Sequence, residues 1–153
     1  MTERQTVWAA ENGMYLQSST LKYDEGGKPF HVQQAEQMRL YKEAGKKSRT
    51  SARTKSFPDS VNFCIGKRSD HYYFGQESDR RDKIGMIEQD KRVIFGRSYA
   101  AEPDQLIKEL AQDEAIQEAD TVLLTIPNTL GVDYNVHVLS SILEHVAPGL
   151  GWR

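Results

Sequence analysis

The stretch Thr121-Val122-Leu123-Leu124-Thr125-Ile126 decides how the chain is read. It is nearly all apolar or β-branched, the composition of a strand covered by helices on both faces of a parallel sheet. Pro127-Asn128 closes it. Asp133 is placed to cap a last helix with Val136, Leu139, Ile142, Leu143 and Val146 on one face, and Pro148-Gly149 ends that helix. Upstream, Glu102-Pro103-Asp104 sets a proline at a helix start and acids beside its positive end. Leu106, Ile107, Leu110 and Ala111 form the buried stripe of that helix, and Val93 to Ser98 is an ordered segment before it.

The N-terminal half keeps the same alternation. Thr6 to Gly13 reads as a short helix that stops on Asn12-Gly13. Met14 to Thr20 reads as a short strand, and Lys22 to Lys28 as a polar loop. Pro29 opens a helix to about Ala44, with Val32, Ala35, Met38 and Tyr41 on its apolar face and Gly45 as its stop. Residues Arg49 to Pro58 occupy the place of a strand but support one poorly, since only Ala52 and Phe57 are apolar before the proline. Residues 59–92 show no clear period and read as an irregular excursion, too long for an ordinary loop. Helices alternating with about three strands predict an α/β fold, with the strands parallel.

The bulk numbers fit one domain or part of a larger one: 153 residues, 38% hydrophobic, 27% charged. A formal net charge of -2 gives no global basic field to attract nucleic acid. The local run Lys46, Lys47, Arg49, Arg53 and Lys55 reads as a solvated loop and helix end. Cys64 is the only cysteine, so no internal disulfide forms, which suits a reducing cytoplasm. No apolar run approaches the roughly 20 residues that span a bilayer. Met1 leads into Thr2-Glu3-Arg4-Gln5 rather than an apolar leader, and the chain reads as cytoplasmic.

Three segments in order resemble the luciferase-like flavin-dependent monooxygenases. The first is Trp8-Ala9-Ala10-Glu11-Asn12-Gly13-Met14 running into Ser18-Ser19-Thr20. The second is Ile94-Phe95-Gly96-Arg97-Ser98-Tyr99-Ala100-Ala101-Glu102-Pro103. The third joins Leu123-Leu124-Thr125-Ile126-Pro127-Asn128 to Leu130-Gly131-Val132-Asp133-Tyr134-Asn135 and ends on His145-Val146-Ala147-Pro148-Gly149-Leu150-Gly151-Trp152-Arg153. Members of that family are (β/α)8 barrels, typically more than twice this length. The resemblance implies the C-terminal part of such a TIM barrel, an incomplete one that begins at the helix after the fifth strand. It also implies reduced FMN, or the deazaflavin coenzyme in some branches, with oxygen used to oxidise a small organic substrate and a flavin reductase as a possible supplier. A homo-oligomer or a separate N-terminal half are the companions this reading allows.

Candidate site residues follow from the same plan. The resemblance places the flavin phosphate near the loop before the Trp8-Ala9-Ala10 helix, where Thr2, Arg4 and Thr6 lie. A helix N-terminus offers free N–H groups and a positive dipole end to an anion; the plainer reading makes Thr6 an N-cap and Arg4 a solvated end residue. Ser18 and Ser19 end the strand that would face the barrel mouth, or serve an ordinary turn. Arg97 and Ser98 would also lie near the mouth, with Arg97 meeting a phosphate through its planar fork or pairing with Glu102 or Asp104. His31, His71, His137 and His145 show no metal-ligand spacing, His137 and His145 read as surface residues, and no catalytic base is identifiable. Thr50, Ala52 and Thr54 are small where a buried barrel strand needs bulk, and each lost CH₂ removes about 0.8 kcal/mol of burial. That weak strand, together with the five strands the resemblance leaves out, fits a truncated gene product, a non-catalytic remnant or one half of a split protein.

Overall fold

The computed structural model describes residues 2–23, 27–48, 54–56, 62–64, 66, 68–74, 83–87, 91–124 and 130–152. In chain order the elements are α1 (Glu3–Glu11), β1 (Leu16–Ser18), β2 (Leu21–Tyr23), α2 (Phe30–Lys47), β3 (Thr54–Ser56), β4 (Asn62–Cys64), α3 (Arg68–Phe74), β5 (Lys83–Ile87), β6 (Lys91–Phe95), β7 (Tyr99–Ala101), α4 (Pro103–Ala111), α5 (Glu114–Glu118) and α6 (Val132–Ser141). A π-helical turn, Ile142–Val146, continues α6, and a 3-10 turn follows at Pro148–Leu150. The chain divides into two units. One comprises Met1–Asp59, Asp82–Gly96 and Asp113–Leu123, the other Ser60–Arg81, Arg97–Gln112 and Leu124–Arg153.

The first unit is built on α2. Its 18 residues pack against α1 on one side and α5 on the other. The core joins Ala9 and Ala10 of α1, Leu16 of β1, Met38, Tyr41 and Ala44 of α2, and Ala115 of α5. Three alanines at the α1–α2 crossing let the two backbones approach closely. Tyr41 fills the remaining space, and its hydroxyl donates to the Met14 carbonyl, so its polar tip is satisfied inside the core. α2 also serves as the crossover between β1 and β3, which pair in parallel with Leu16 opposite Thr54 and Ser18 opposite Ser56. Gly45 does not stop α2: it is buried within the helix, which runs to Lys47.

The larger sheet of this unit is antiparallel, in the order β2-β6-β5. Leu21 stands opposite Phe95, and Lys83 opposite Phe95 on the other side. Only three residues separate β5 from β6, too few for a helical crossover, so the two strands can pair only antiparallel.

In the second unit β4 and β7 form a parallel pair, Asn62 opposite Tyr99 and Cys64 opposite Ala101. α4 packs against β7 and the π-helical turn, burying Leu106 and Leu110. The opposite wall is Val138, Ile142 and Val146. Gly149 lies against the Ile107 side chain, where a β-carbon would stand 2.5 Å from Cδ1.

These observations overturn the barrel. The parallel ladders are two isolated pairs and the three-stranded sheet is antiparallel, so the described residues contain no run of parallel strands from a (β/α)8 barrel. The deciding stretch is not a strand over its described part: Val122 makes a single bridge, and Val122, Leu123 and Leu124 are only half-buried. Thr125 to Asn128 lie outside the described residues. An apolar composition reports a demand for burial, not the backbone ladder that meets it. Residues 59–92, which show no period, hold β4, α3, β5 and the start of β6. The last helix also turns differently from its expected face. Val138, Ile142 and Val146 point inward, while Val136 at 55%, Leu139 at 38% and Leu143 at 67% are exposed.

Candidate functional site: a cationic cleft at the start of α1

The start of α1 is held by a reciprocal cap. Thr2, not Thr6, is the N-cap: its Oγ1 accepts from the Gln5 N–H at 3.4 Å, and Gln5 Oε1 accepts from the Thr2 N–H at 2.8 Å. Thr6 sits one turn further in, fully buried, and its hydroxyl donates to the Thr2 carbonyl at 3.1 Å. Gln37 of α2 then donates to Thr6 Oγ1 at 3.2 Å, and its Oε1 accepts from Ser18 Oγ at 3.3 Å. This chain, buried from Ser18 through Gln37 to Thr6 and ending at the exposed Thr2, fixes the first turn of α1 against α2 and the end of β1. A polar run inside a core stabilises only when each member is satisfied, and this run meets that condition.

A cavity of about 650 Å³ opens beside this turn. Thr2, Arg4 and Thr6 line it from α1, Gln33, Glu36 and Gln37 from α2, and Lys22 and Lys28 from the β2–α2 region. Lys22 Nζ donates to the Gln33 carbonyl at 3.2 Å, and Lys28 Nζ pairs with Glu36 Oε1 at 2.6 Å. The Lys28 contact, reinforced by the charges of Lys28, Lys22 and Arg39, holds the Glu36 carboxyl below the usual carboxylate range. Arg4 is exposed and makes no ion pair among the described residues. Three cations against Glu3 and Glu36 leave the cleft with a positive balance, on top of the positive end of the α1 dipole.

The sequence-chosen residues separate into two groups. Thr2, Arg4 and Thr6 line the cleft. Ser18 is buried behind it and engaged by Gln37. Ser19 serves the turn into β2: its Oγ accepts from the Leu21 N–H at 3.2 Å and its carbonyl accepts from Gln34 at 2.9 Å. Arg97 and Ser98 belong to the second unit. Arg97 stacks over the Tyr99 ring at 4.4 Å, pairs with neither Glu102 nor Asp104, and its Nε is buried without a hydrogen-bond partner. The lysines and glutamines of the cleft were invisible to sequence reasoning. Gln33, Gln34 and Gln37 lie on buried surface that an apolar-face count ignores, and the only hint was their clustering in one α2 turn.

The histidines also sort differently. His31 Nδ1 accepts from the Glu114 N–H at 3.3 Å and so meets the start of α5. His137 is not a free surface residue: it is held against buried Asp70, with side-chain exposures of 19% and 1%. Among the described residues no group of three or more His, Cys, Asp or Glu is placed to hold a metal, and no helix is long and apolar enough to cross a membrane.

Comparison with protein-family models, with curated proteins and with solved structures returns no match for this chain.

The cleft fits one part of a flavin mononucleotide better than the rest. Arg4, Lys22, Lys28 and the α1 terminus suit a phosphate dianion. Leu40 is the one apolar residue among its described lining, so nothing there offers a surface for an isoalloxazine ring.

Proposed function

We propose that this chain holds the phosphate end of reduced FMN for a flavin-dependent oxidoreductase, a monooxygenase that acts on a small organic substrate with oxygen. The observation that carries this reading is the convergence of Thr2, Arg4 and Thr6 on one cleft with Lys22 and Lys28. When bound, the flavin supplies the redox chemistry, and the protein's work is binding and orientation. Arg4 and Lys22 meet the phosphate oxygens and offset part of their charge. Thr2 and Thr6, locked by the capping box and by Gln37, keep the helix end aimed at it. Lys28, tied to Glu36, sets the far wall. The ring is left to other surface. A deazaflavin coenzyme, which also carries a phosphate, is the alternative ligand of the same chemistry. The fitting setting is the cytoplasm, with a flavin reductase as supplier and no nucleic acid as partner.

The test is a titration of FMN and of riboflavin, read by flavin fluorescence and calorimetry. A charge-assisted contact contributes about 1.5–3 kcal/mol, so removing the phosphate or the Arg4 side chain costs roughly tenfold or more in affinity. Riboflavin binding as tightly as FMN, or Arg4→Ala leaving FMN affinity unchanged, refutes the reading.

A second reading has its own observation. Val132, Val136, Leu139 and Leu143 form an exposed apolar stripe at 77%, 55%, 38% and 67% exposure. Spaced 4-3-4, they lie along one helix face. That favours a non-catalytic partner subunit that docks another chain. A colourless product that associates and shows no FMN-dependent NADH oxidation supports it.

A further inference from the structure

The second unit contains a cluster that the cleft does not use. α6 carries Tyr134, His137 and Ser141 at i, i+3 and i+7, so the three share a side of the helix. α3 brings Asp70 to the same side, 1% exposed. His137 Nε2 lies 3.1 Å from Asp70 Oδ2 and 3.2 Å from Oδ1. Tyr134 donates its hydroxyl to Oδ1, and the Gly66 N–H donates to Oδ2 at 3.0 Å. Ser141 Oγ stands 3.4 Å from His137 Nδ1.

Chemistry assigns the roles. The Asp70 carboxyl is buried and takes donors on both oxygens, from Tyr134 and from the Gly66 N–H. In the tautomer that carries the His137 proton on Nε2, the ring donates to the Asp70 carboxyl. Nδ1 is then the basic nitrogen, and it faces Ser141 Oγ. A hydroxyl, a base and a group that orients the base form the arrangement that activates a nucleophile, recognised by geometry and not by order in the chain. Ser141 is partly exposed, and a π-helical turn, a feature that recurs at functional sites, begins at the next residue.

We propose that Ser141 is an acyl-accepting nucleophile, with His137 as its base and Asp70 as a positioning residue, and that it takes small aryl esters. Ser141 Oγ attacks the ester carbonyl carbon. The Oγ–C bond forms, the bond to the aryl oxygen breaks, and the leaving phenolate departs with the electron pair. The Oγ proton passes to His137 Nδ1 and then to the leaving group or to water. The products are an acylated Ser141 and a free phenol, and no oxidant or cofactor enters.

The aryl preference comes from the ring wall beside the base. Tyr134 meets His137 edge-on at 5.7 Å, and Tyr73, 47% exposed, meets Tyr134 at 5.5 Å. The Ile142 N–H, the nearest backbone donor after the nucleophile, is spent on the carbonyls of Val138 and Leu139. One donor to a developing oxyanion is worth about 10²–10³ in rate, so the site acylates slowly and suits esters with good leaving groups.

The experiment incubates the full chain with p-nitrophenyl acetate and reads intact mass, peptide mapping and p-nitrophenolate release. The expected result is one acetyl group, on Ser141. Ser141→Ala abolishes it, and His137→Ala slows it by about 100-fold, the scale of general-base catalysis. A pH profile of Ser141 acetylation that is bell-shaped or sigmoidal in the parent and flat in His137→Ala separates a basic role from a structural one. Because Asp70 also ties α3 to α6, Ser141→Ala at a part-exposed position carries the decision. Acetyl groups on lysines or tyrosines with Ser141 unmodified, or Ser141→Ala acetylated as fast as the parent, overturn the proposal.

Discussion

At the scale of single residues, the tyrosine hydroxyls respond most clearly to how the fold places them. Burial pushes the Tyr134 phenol well above the ordinary tyrosine range, and its hydrogen bond to the Asp70 carboxylate adds to the shift. Burial likewise raises Tyr41, against an opposing backbone hydrogen bond. In both, the fold favours the neutral phenol. The stability this contributes is complete below the unfolded value of about pH 10 and is lost as pH climbs through the higher folded value. A spectrophotometric titration of phenolate is expected to show two tyrosines ionising later than the rest, and Tyr134→Phe is expected to remove one of them. The cap of α1 makes a second residue-scale prediction. Thr2→Ala removes one half of the capping box and costs about 1 kcal/mol by denaturant unfolding. Sequence reasoning found the stop of this helix, because Asn12-Gly13 is a strong signal and Gly13 does take φ 68°. It placed the start too late, because Thr2 and Thr6 are both plausible caps and only the Gln5 side chain, reaching back to Thr2, decides between them.

At the scale of elements, α6 separates what the sequence allowed from what folding chose. A helix bearing Val132, Val136, Val138, Leu139, Ile142, Leu143 and Val146 has apolar residues on more than one side, and periodicity cannot say which side is inward. The structure buries 138, 142 and 146. Ile142→Ala is therefore expected to destabilise by about 2–5 kcal/mol. Val136→Lys and Leu143→Lys are expected to stay within roughly 0.5 kcal/mol of the parent. Equal losses for inward and outward positions would contradict this assignment. α2 was legible in Ala35, Met38 and Tyr41, which are buried, and illegible in its glutamines, whose burial depends on partners far along the chain such as Thr6 and Ser18. The Arg39 pairs with Glu114 and Glu118, at 2.9 and 2.7 Å, join α2 to α5. The arginine is nearly half exposed. Arg39→Ala is thus expected to lower stability only slightly in denaturant unfolding, and that loss to shrink as salt rises.

At the scale of the whole molecule, the alternation of helices and strands was readable, and the sheet they make was not. The parallel pairing of β1 with β3 follows from α2 as crossover, so even the poorly apolar stretch around Thr54 found its ladder. The antiparallel sheet was encoded in plain view, as Lys83-Ile84-Gly85-Met86-Ile87 and Lys91-Arg92-Val93-Ile94-Phe95 separated by three residues. Lys83 to Arg92 fall in the stretch without a clear period, and only Val93 onward reads as ordered, so the pairing of the two strands stays hidden. The site was legible in part for a related reason. Arg4 and the α1 start are local in sequence, whereas Lys22, Lys28 and Gln37 reach the cleft only through the packing of α2. The account stands most directly on where FMN lands, and an amide proton–nitrogen correlation spectrum of the labelled chain, recorded as FMN is added, reads that position. The account predicts saturable shifts at Thr2, Glu3, Arg4 and Thr6 and at Lys22, with the amides of α6 unmoved. Shifts centred on other residues, or none at millimolar FMN, would contradict it.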